Sequence, residues 1–310
     1  MRNKGKRECA RRYELIRRFC AQYQRPFTVL DVGAADGYFA IRLTEDFPEC
    51  TVVAIEPRAR IGEMLKLNES TRVLWLSKKM TVAEIRALAA VEHFDVTLAL
   101  SVIHWMDEPP AESLAALRQL GDHLILELPV EPTATGQEIV QAITTPTDGV
   151  LLGYGESHLD PETPRPIYLL SQPKTGLMVS YLGGPTAHRL ARSYARVIIT
   201  SDFESKTFAK GKKVLYPWIR GVNLQTFLTF NGSHPGRKHI ARCVAAAWVD
   251  LAGSATMRFL GHGDLMPWNV ILSGDRATLI DPKPGAKRAA HDAEFLGQLI
   301  ATIKGRGEQR

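Results

Sequence analysis

The feature that most limits how this chain can fold is a regular alternation running from Arg25 to about Ser171. Short apolar runs at Thr28–Val32, Thr51–Ile55, Val73–Leu76, Val96–Leu100 and Leu124–Leu128 are separated by stretches with helical spacing of apolar residues. Those stretches are Gly37–Asp46, Arg58–Leu67, Thr81–Ala90 and Glu112–Leu120, each with a small or polar residue near its start. Near-continuous apolar strands joined by amphipathic helices specify a doubly wound, mainly parallel sheet with covered faces. A further helix is expected at Gly136–Ile143. Beyond it Val150–Tyr154 and Pro166–Leu170, joined by a polar stretch, predict an antiparallel hairpin at the sheet edge.

At 310 residues the chain has room for about two domains. The stretch Ser171-Gln-Pro-Lys-Thr-Gly176 reads as the linker, giving domains 1–174 and 175–310. In the second, Arg196–Thr200, Ser205–Phe208 and Lys213–Ile219 read as short strands, while Leu224–Phe230, Ile240–Leu251 and a closing stretch around Ala289–Ile303 read as helices. No apolar run approaches the roughly 20 residues needed to span a bilayer. The four cysteines lack metal-ligand spacing, so a reducing, cytoplasmic setting is expected.

Residues 1–18 hold eight basic groups against Glu8 and Glu14, which accounts for the whole formal charge of +6. Two main readings follow. The segment is either a patch for an anionic polymer or membrane surface, or a solvated helix packed through a stripe of Tyr13, Ile16 and Cys20. A third, a mitochondrial targeting helix, is opposed by the absence of a spacer before the first strand.

The first strand ends in Asp31-Val-Gly33-Ala-Ala35-Asp36-Gly37-Tyr-Phe39. Small residues at 33, 35 and 37 let the backbone turn tightly and approach a ligand where open α/β sheets bind theirs. Glu56 ends the second strand, placed to accept both hydroxyls of a ribose. The spacing differs from the dinucleotide fingerprint, and Asp36 would repel a pyrophosphate. An acidic turn suits a cofactor with a cationic centre.

These residues resemble the class I S-adenosylmethionine-dependent methyltransferases. Asp31-x-Gly33-x-Ala35-x-Gly37 matches the family's first motif, Glu56 its ribose acid, and Phe94–Trp105 its fourth-strand motif. The resemblance covers about residues 10–171. It implies a Rossmann-like seven-stranded sheet and S-adenosylmethionine bound by Asp31, Gly33, Ala35, Asp36, Gly37, Phe39, Glu56, Leu100 and Ser101. His104 is the leading base or substrate-positioning residue, with Glu127 and His158 behind it. The alternatives are that His104 packs with Trp105 and that Glu127 pairs with an arginine.

A second signature lies in Gly261-His262-Gly-Asp264-Leu-Met-Pro-Trp-Asn269, followed by Leu279-Ile-Asp281. Phosphoryl transfer needs an acceptor-orienting base and oxygen ligands for magnesium, and these residue types supply both. The segment resembles the aminoglycoside-phosphotransferase-like kinases. That likeness implies a small α+β domain binding ATP and Mg2+, with Asp264 as base, Asn269 and Asp281 on metal, and Lys206 as the phosphate anchor. It also assigns His262 to bracing the loop, Asp292 to a further structural aspartate and Tyr216–Leu224 to the hinge. No glycine-rich nucleotide loop is legible, and the helical substrate half of such kinases is abbreviated.

Together, in this order, the two halves resemble the bifunctional methyltransferase–kinases that cap bacterial O-antigen polysaccharides. That resemblance implies a hydroxyl or phosphate of a glycan or related metabolite as acceptor, handled in the cytoplasm or at the periphery of a membrane. Two rival expectations are an RNA methyltransferase that contacts phosphates through residues 1–18, with its second domain as an inactive binding module, and an adaptor gated by nucleotide.

Overall fold

A computed structural model describes residues 9–70, 72–128, 149–156, 164–172, 178–181, 214–217, 221–229, 237–253, 265–273, 276–279 and 286–305. The chain divides into two compact units, Met1–Lys174 and Thr175–Arg310. The expected helix at Gly136–Ile143 and the expected strands at Arg196–Thr200 and Ser205–Phe208 lie outside the described residues.

The first unit opens with helix α1 (Cys9–Cys20) and continues β1 (Phe27–Val32), α2 (Tyr38–Asp46), β2 (Cys50–Ile55), α3 (Arg60–Leu67) and β3 (Val73–Leu76). Then come α4 (Val82–Val91), β4 (Phe94–Leu100), α5 (Pro110–Arg118), β5 (Gly121–Glu127), β6 (Gly149–Gly155) and β7 (Arg165–Ser171). The strand order is β3-β2-β1-β4-β5-β7-β6. Strands β1 to β5 pair in parallel, whereas β7 runs antiparallel to β5 and to β6. This is the seven-stranded sheet that the methyltransferase resemblance implies, with the late hairpin at its edge. The order reverses between β1 and β4, and at such a switch point the carboxyl ends of the strands open a crevice for ligand.

Every residue of β1 and β2 is buried, which is why both strands read as near-continuous apolar runs, broken in β1 by Thr28 and Asp31 and in β2 by Thr51. Side chains of α1, α2 and α3 join one buried cluster with the sheet, including Ile16, Val29, Val52, Leu98 and Ile167. Helices α4 and α5 pack on each other, and α5 on β4 and β5. Local signals set the ends: Thr81 and Glu84 form a reciprocal capping box at α4, and Pro110 starts α5, where no amide partner is needed. The basic N-terminal segment adopts the second of its two readings over the described residues, since α1 buries Tyr13, Ile16 and Cys20.

At the floor of the sheet Asp95, fully buried, locks β4 against β1. It accepts from the Thr28 amide (2.8 Å), the Thr28 hydroxyl (3.1 Å) and Arg25 Nη2 (2.7 Å). A charged acceptor with these donors is costly to remove, because the Thr28 amide and hydroxyl are then left buried and unmatched.

The second unit holds β8 (Met178–Tyr181) antiparallel to β9 (Val214–Pro217). It also has a three-stranded sheet of β10 (Val222–Asn223), β11 (Val270–Ser273) and β12 (Arg276–Leu279). Three helices accompany them: α6 (Leu224–Thr229), α7 (Arg237–Gly253) and α8 (Ala286–Gly305). Among the described residues no helix is long and apolar enough to cross a membrane.

Replacing Asp95 with Ala should lower stability by about 2–3 kcal/mol. Urea unfolding checks this, and an unchanged midpoint would show that the β1–β4 register does not need the lock.

Candidate cofactor and acceptor site

The site begins where β1 runs out. Gly33 (φ +76°), Ala35 (φ +55°) and Gly37 (φ +80°) all occupy the left-handed region, so alternate residues reverse the backbone before α2 starts. Glycine suits the outer two positions on this ground. At Gly33 a second reason applies, because a Cβ there would lie 2.7 Å from Val102 Cγ2. The Gly33 and Ala34 amides donate to the Ile55 carbonyl at 2.9 and 3.2 Å, tying the turn to the end of β2. Gly33 and Ala35 are exposed, Asp36 is half-buried, and Gly37 and Phe39 are buried.

Two carboxylates stand behind this turn. Glu56, 3 % exposed, accepts from the Ala35 amide at 2.8 Å and from the Arg58 amide at 3.0 Å. Arg58 also chelates it through Nε (2.8 Å) and Nη2 (3.3 Å). The Arg58 side chain is 69 % exposed, and a pair half in water is worth at most about 1 kcal/mol. The guanidinium can therefore yield to a ribose diol at small cost.

Asp31 is different. It is buried, and its Oδ2 has no hydrogen-bond partner in the structure. Burial, and secondarily the Glu56 charge, push its carboxyl up to about 7. An unmatched buried oxygen behind an exposed, small-residue turn fits a cofactor that brings a cation, and the Glu56 carboxylate fits one that brings neighbouring hydroxyls. S-adenosylmethionine has both. When bound, it supplies an electrophilic methyl group.

Across the crevice, Leu100 ends β4 half-buried, and Ser101 follows, buried and at φ +53°. A one-turn 3-10 segment, Ile103–Trp105, carries His104. The His104 ring is half-buried, 5.3 Å from that of Trp105 and tilted 44° to it, while Trp105 itself is largely exposed. Glu127, at the end of β5, is paired with an arginine, as one reading of it expected. Arg12 Nη1 lies 3.0 Å from its Oε2 and 3.3 Å from its Oε1. Ser101 Oγ donates to the same carboxylate and accepts from Arg165 Nη1 at 2.8 Å.

Arg12, Arg58 and Arg165 had drawn no attention in the sequence. Arg12 shares a face with Ile16 and Cys20 at four-residue spacing, a signal hidden by the surrounding basic residues. Because it is buried, it is removed from any surface patch; Arg17 and Arg18 both bind Glu14 on the same helix.

Of the second signature, Asp264, Asp281, Lys206 and His262 lie outside the described residues, as does His158 of the first. Asn269 is buried on the 3-10 turn Pro267–Asn269 that leads into β11. That turn is held to β10 by Asn223 Nδ2, which donates to the Trp268 carbonyl at 2.7 Å, while Asn223 Oδ1 accepts from the Gln225 amide at the start of α6. Asp292 is fully buried in α8.

The raised Asp31 carboxyl has a definite pH signature. Folding then disfavours its charged form, so the cofactor-free protein loses stability as pH rises from the ordinary carboxylate range to about 7. A bound cation reverses the preference. Affinity for S-adenosylmethionine should therefore increase between about pH 5 and about pH 8, and Asp31→Asn should flatten that dependence while weakening binding. Calorimetry across pH tests both. Glu56→Ala should weaken binding by about tenfold or more, equivalent to roughly 1.4 kcal/mol.

The chain is similar to several known proteins. Residues 30–121 match the family described as Methyltransferase domain. The chain is 27% identical to the O-antigen chain terminator bifunctional methyltransferase/kinase WbdD of Escherichia coli, over 89% of this chain and 48% of WbdD. It is 28% identical to Nodulation protein S of Sinorhizobium fredii, over 33% of this chain and 43% of that one. The chain thus spans about half the length, or less, of these curated relatives. A crystal structure of the bifunctional kinase-methyltransferase WbdD superposes with a TM-score of 0.45 at 21% identity, over 94% of this chain and 81% of that one. The match to a methyltransferase domain thus falls on residues 30–121, the stretch that carries the turn after β1, Glu56 and His104.

Proposed function

We propose that this methyltransferase acts on a hydroxyl or phosphate of a glycan or related metabolite, and that its second unit is an abbreviated kinase-like module binding ATP and Mg2+. On this reading the chain functions as two domains, 1–174 and 175–310. The observation that carries the methyltransferase half is the buried Asp31 oxygen without a partner beside the Gly33–Gly37 turn and Glu56. A site that leaves a carboxylate unmatched in its own fold is shaped for a cationic ligand.

Methyl transfer from a sulfonium is an in-line displacement. The chain's task is to hold the acceptor oxygen in line with the methyl carbon and, for a hydroxyl, to take its proton. Asp31, Glu56 and the turn residues 33, 35, 36 and 37 hold the cofactor, with Phe39, Leu100 and Ser101 completing its walls. His104 accepts the proton or orients the acceptor. A phosphate acceptor is already ionised and would leave His104 only the second task.

In the kinase-like module Asp264 acts as base, Asn269 and Asp281 carry the metal, and Lys206 anchors phosphate. The glycan acceptor is supported by the description of WbdD as an O-antigen chain terminator. Phosphorylation followed by methylation of the new phosphate would make the product of the kinase-like unit the substrate of the methyltransferase, which gives the pairing a chemical reason. We place the protein in the cytoplasm or at the periphery of a membrane.

Incubating the chain with both cofactors and an O-antigen-type oligosaccharide, followed by mass spectrometry, tests the proposal. The expected product gains a phosphate and a methyl group. Asp264→Asn should abolish the phosphate gain and, on an unphosphorylated oligosaccharide, the methyl gain with it. Methylation that persists in that variant would separate the two activities. Methylation of RNA but not of the oligosaccharide would overturn the acceptor class.

A further inference from the structure

The contacts of Arg12 form a closed circuit through the site. From α1 its guanidinium reaches Glu127 at the end of β5 and lies 5.6 Å from the centre of the Phe39 ring, two residues beyond the cofactor turn. Glu127 holds the Ser101 hydroxyl, which Arg165 at the start of β7 approaches from its other side. The next residue, Val102, packs against Gly33 in that same turn. The circuit therefore leaves the turn at Phe39 and returns to it at Gly33, passing through α1, β5 and the end of β4.

Every charged member is out of water: Arg12 is 5 % exposed, Glu127 1 % and Arg165 3 %. Screening is then weak, and breaking the pair by removing one partner leaves an uncompensated buried charge. Space is tight as well. A Cβ on Gly155, which ends β6, would lie 2.5 Å from Glu127 Oε1 and 2.7 Å from Arg12 Cδ. Ser101 meanwhile adopts a left-handed conformation that costs a non-glycine residue about 1–2 kcal/mol. Such conformations persist where surrounding contacts over-determine them, and here the hydroxyl is gripped from both sides.

We infer that helix α1 is a clasp on the methyltransferase site, with Arg12 a positioning residue that acts through Glu127 and Ser101 to set the cofactor pocket. The inference rests on the reading of that pocket as the S-adenosylmethionine site. By thermodynamic reciprocity, if the clasp strengthens cofactor binding, bound cofactor tightens the clasp by the same factor.

The test uses the full chain and S-adenosylhomocysteine as probe, with calorimetry for affinity and hydrogen exchange for the amides of Cys9–Cys20. Wild type should bind the probe and slow exchange across α1 when it does. Arg12→Met should bind roughly tenfold more weakly, within the usual range of couplings, and lose that slowing. Arg12→Lys should fall between the two. Should Arg12→Met fail to fold, Gly155→Ala, which spreads the pair without removing a charge, should show the same two losses.

A purely structural α1 would lower the melting temperature of these variants but leave probe affinity and the ligand-induced slowing unchanged, and that result overturns the inference alone. Absence of probe binding by wild type overturns the cofactor assignment and the clasp together.

Discussion

A parallel strand covered on both faces is a costly place for a carboxylate, and β1 carries one at Asp31. Everything at the cofactor end of the sheet is arranged around that cost. The backbone leaves β1 through alternating left-handed residues, which opens the turn instead of closing it over Asp31. Glu56 is itself a carboxylate, accepting from the Ala35 amide and from Arg58, so it has no proton to donate to Asp31 and adds repulsion. What would be a defect in a structural core becomes a preformed demand for positive charge. The fold tolerates it because the apolar faces of β1 and β2 are otherwise fully packed.

The opposite end of the same strand shows the contrast. Asp95 is equally buried, yet donors from Thr28 and Arg25 surround it. Two aspartates near β1 thus play opposite parts. One is satisfied and fixes register; the other is left wanting at the edge where ligands enter.

The fold of the first unit was legible because its signals are local. Apolar strands of four to seven residues, helical periodicity between them and the late hairpin all appear within a residue or two or three of their expected places. The tight turn after β1 was equally legible, since small residues at fixed spacing are themselves the geometry. The arginines were not. Arg12 and Glu127 are separated by 115 positions, and only the sheet order brings them together. A basic segment also advertises solvent exposure, which masked the buried member within it. In the second unit Leu224–Thr229 and Arg237–Gly253 follow from periodicity, whereas the strand at Met178–Tyr181 has too few residues to display a period.

The reach of Arg12 also governs the order in which the molecule can be assembled. Its partners arrive only when the chain has been made through β5, and the hairpin that closes around them only after Arg165. At roughly 5–20 residues per second, Arg12 therefore waits on the order of ten seconds or more on the ribosome before those partners exist. During that interval the helix presents an apolar stripe beside a dense row of positive charge to whatever surrounds the nascent chain. Tyr13 can meet its partners on α2 early, but the capture of Arg12 by Glu127 comes only after the parallel part of the sheet has been made.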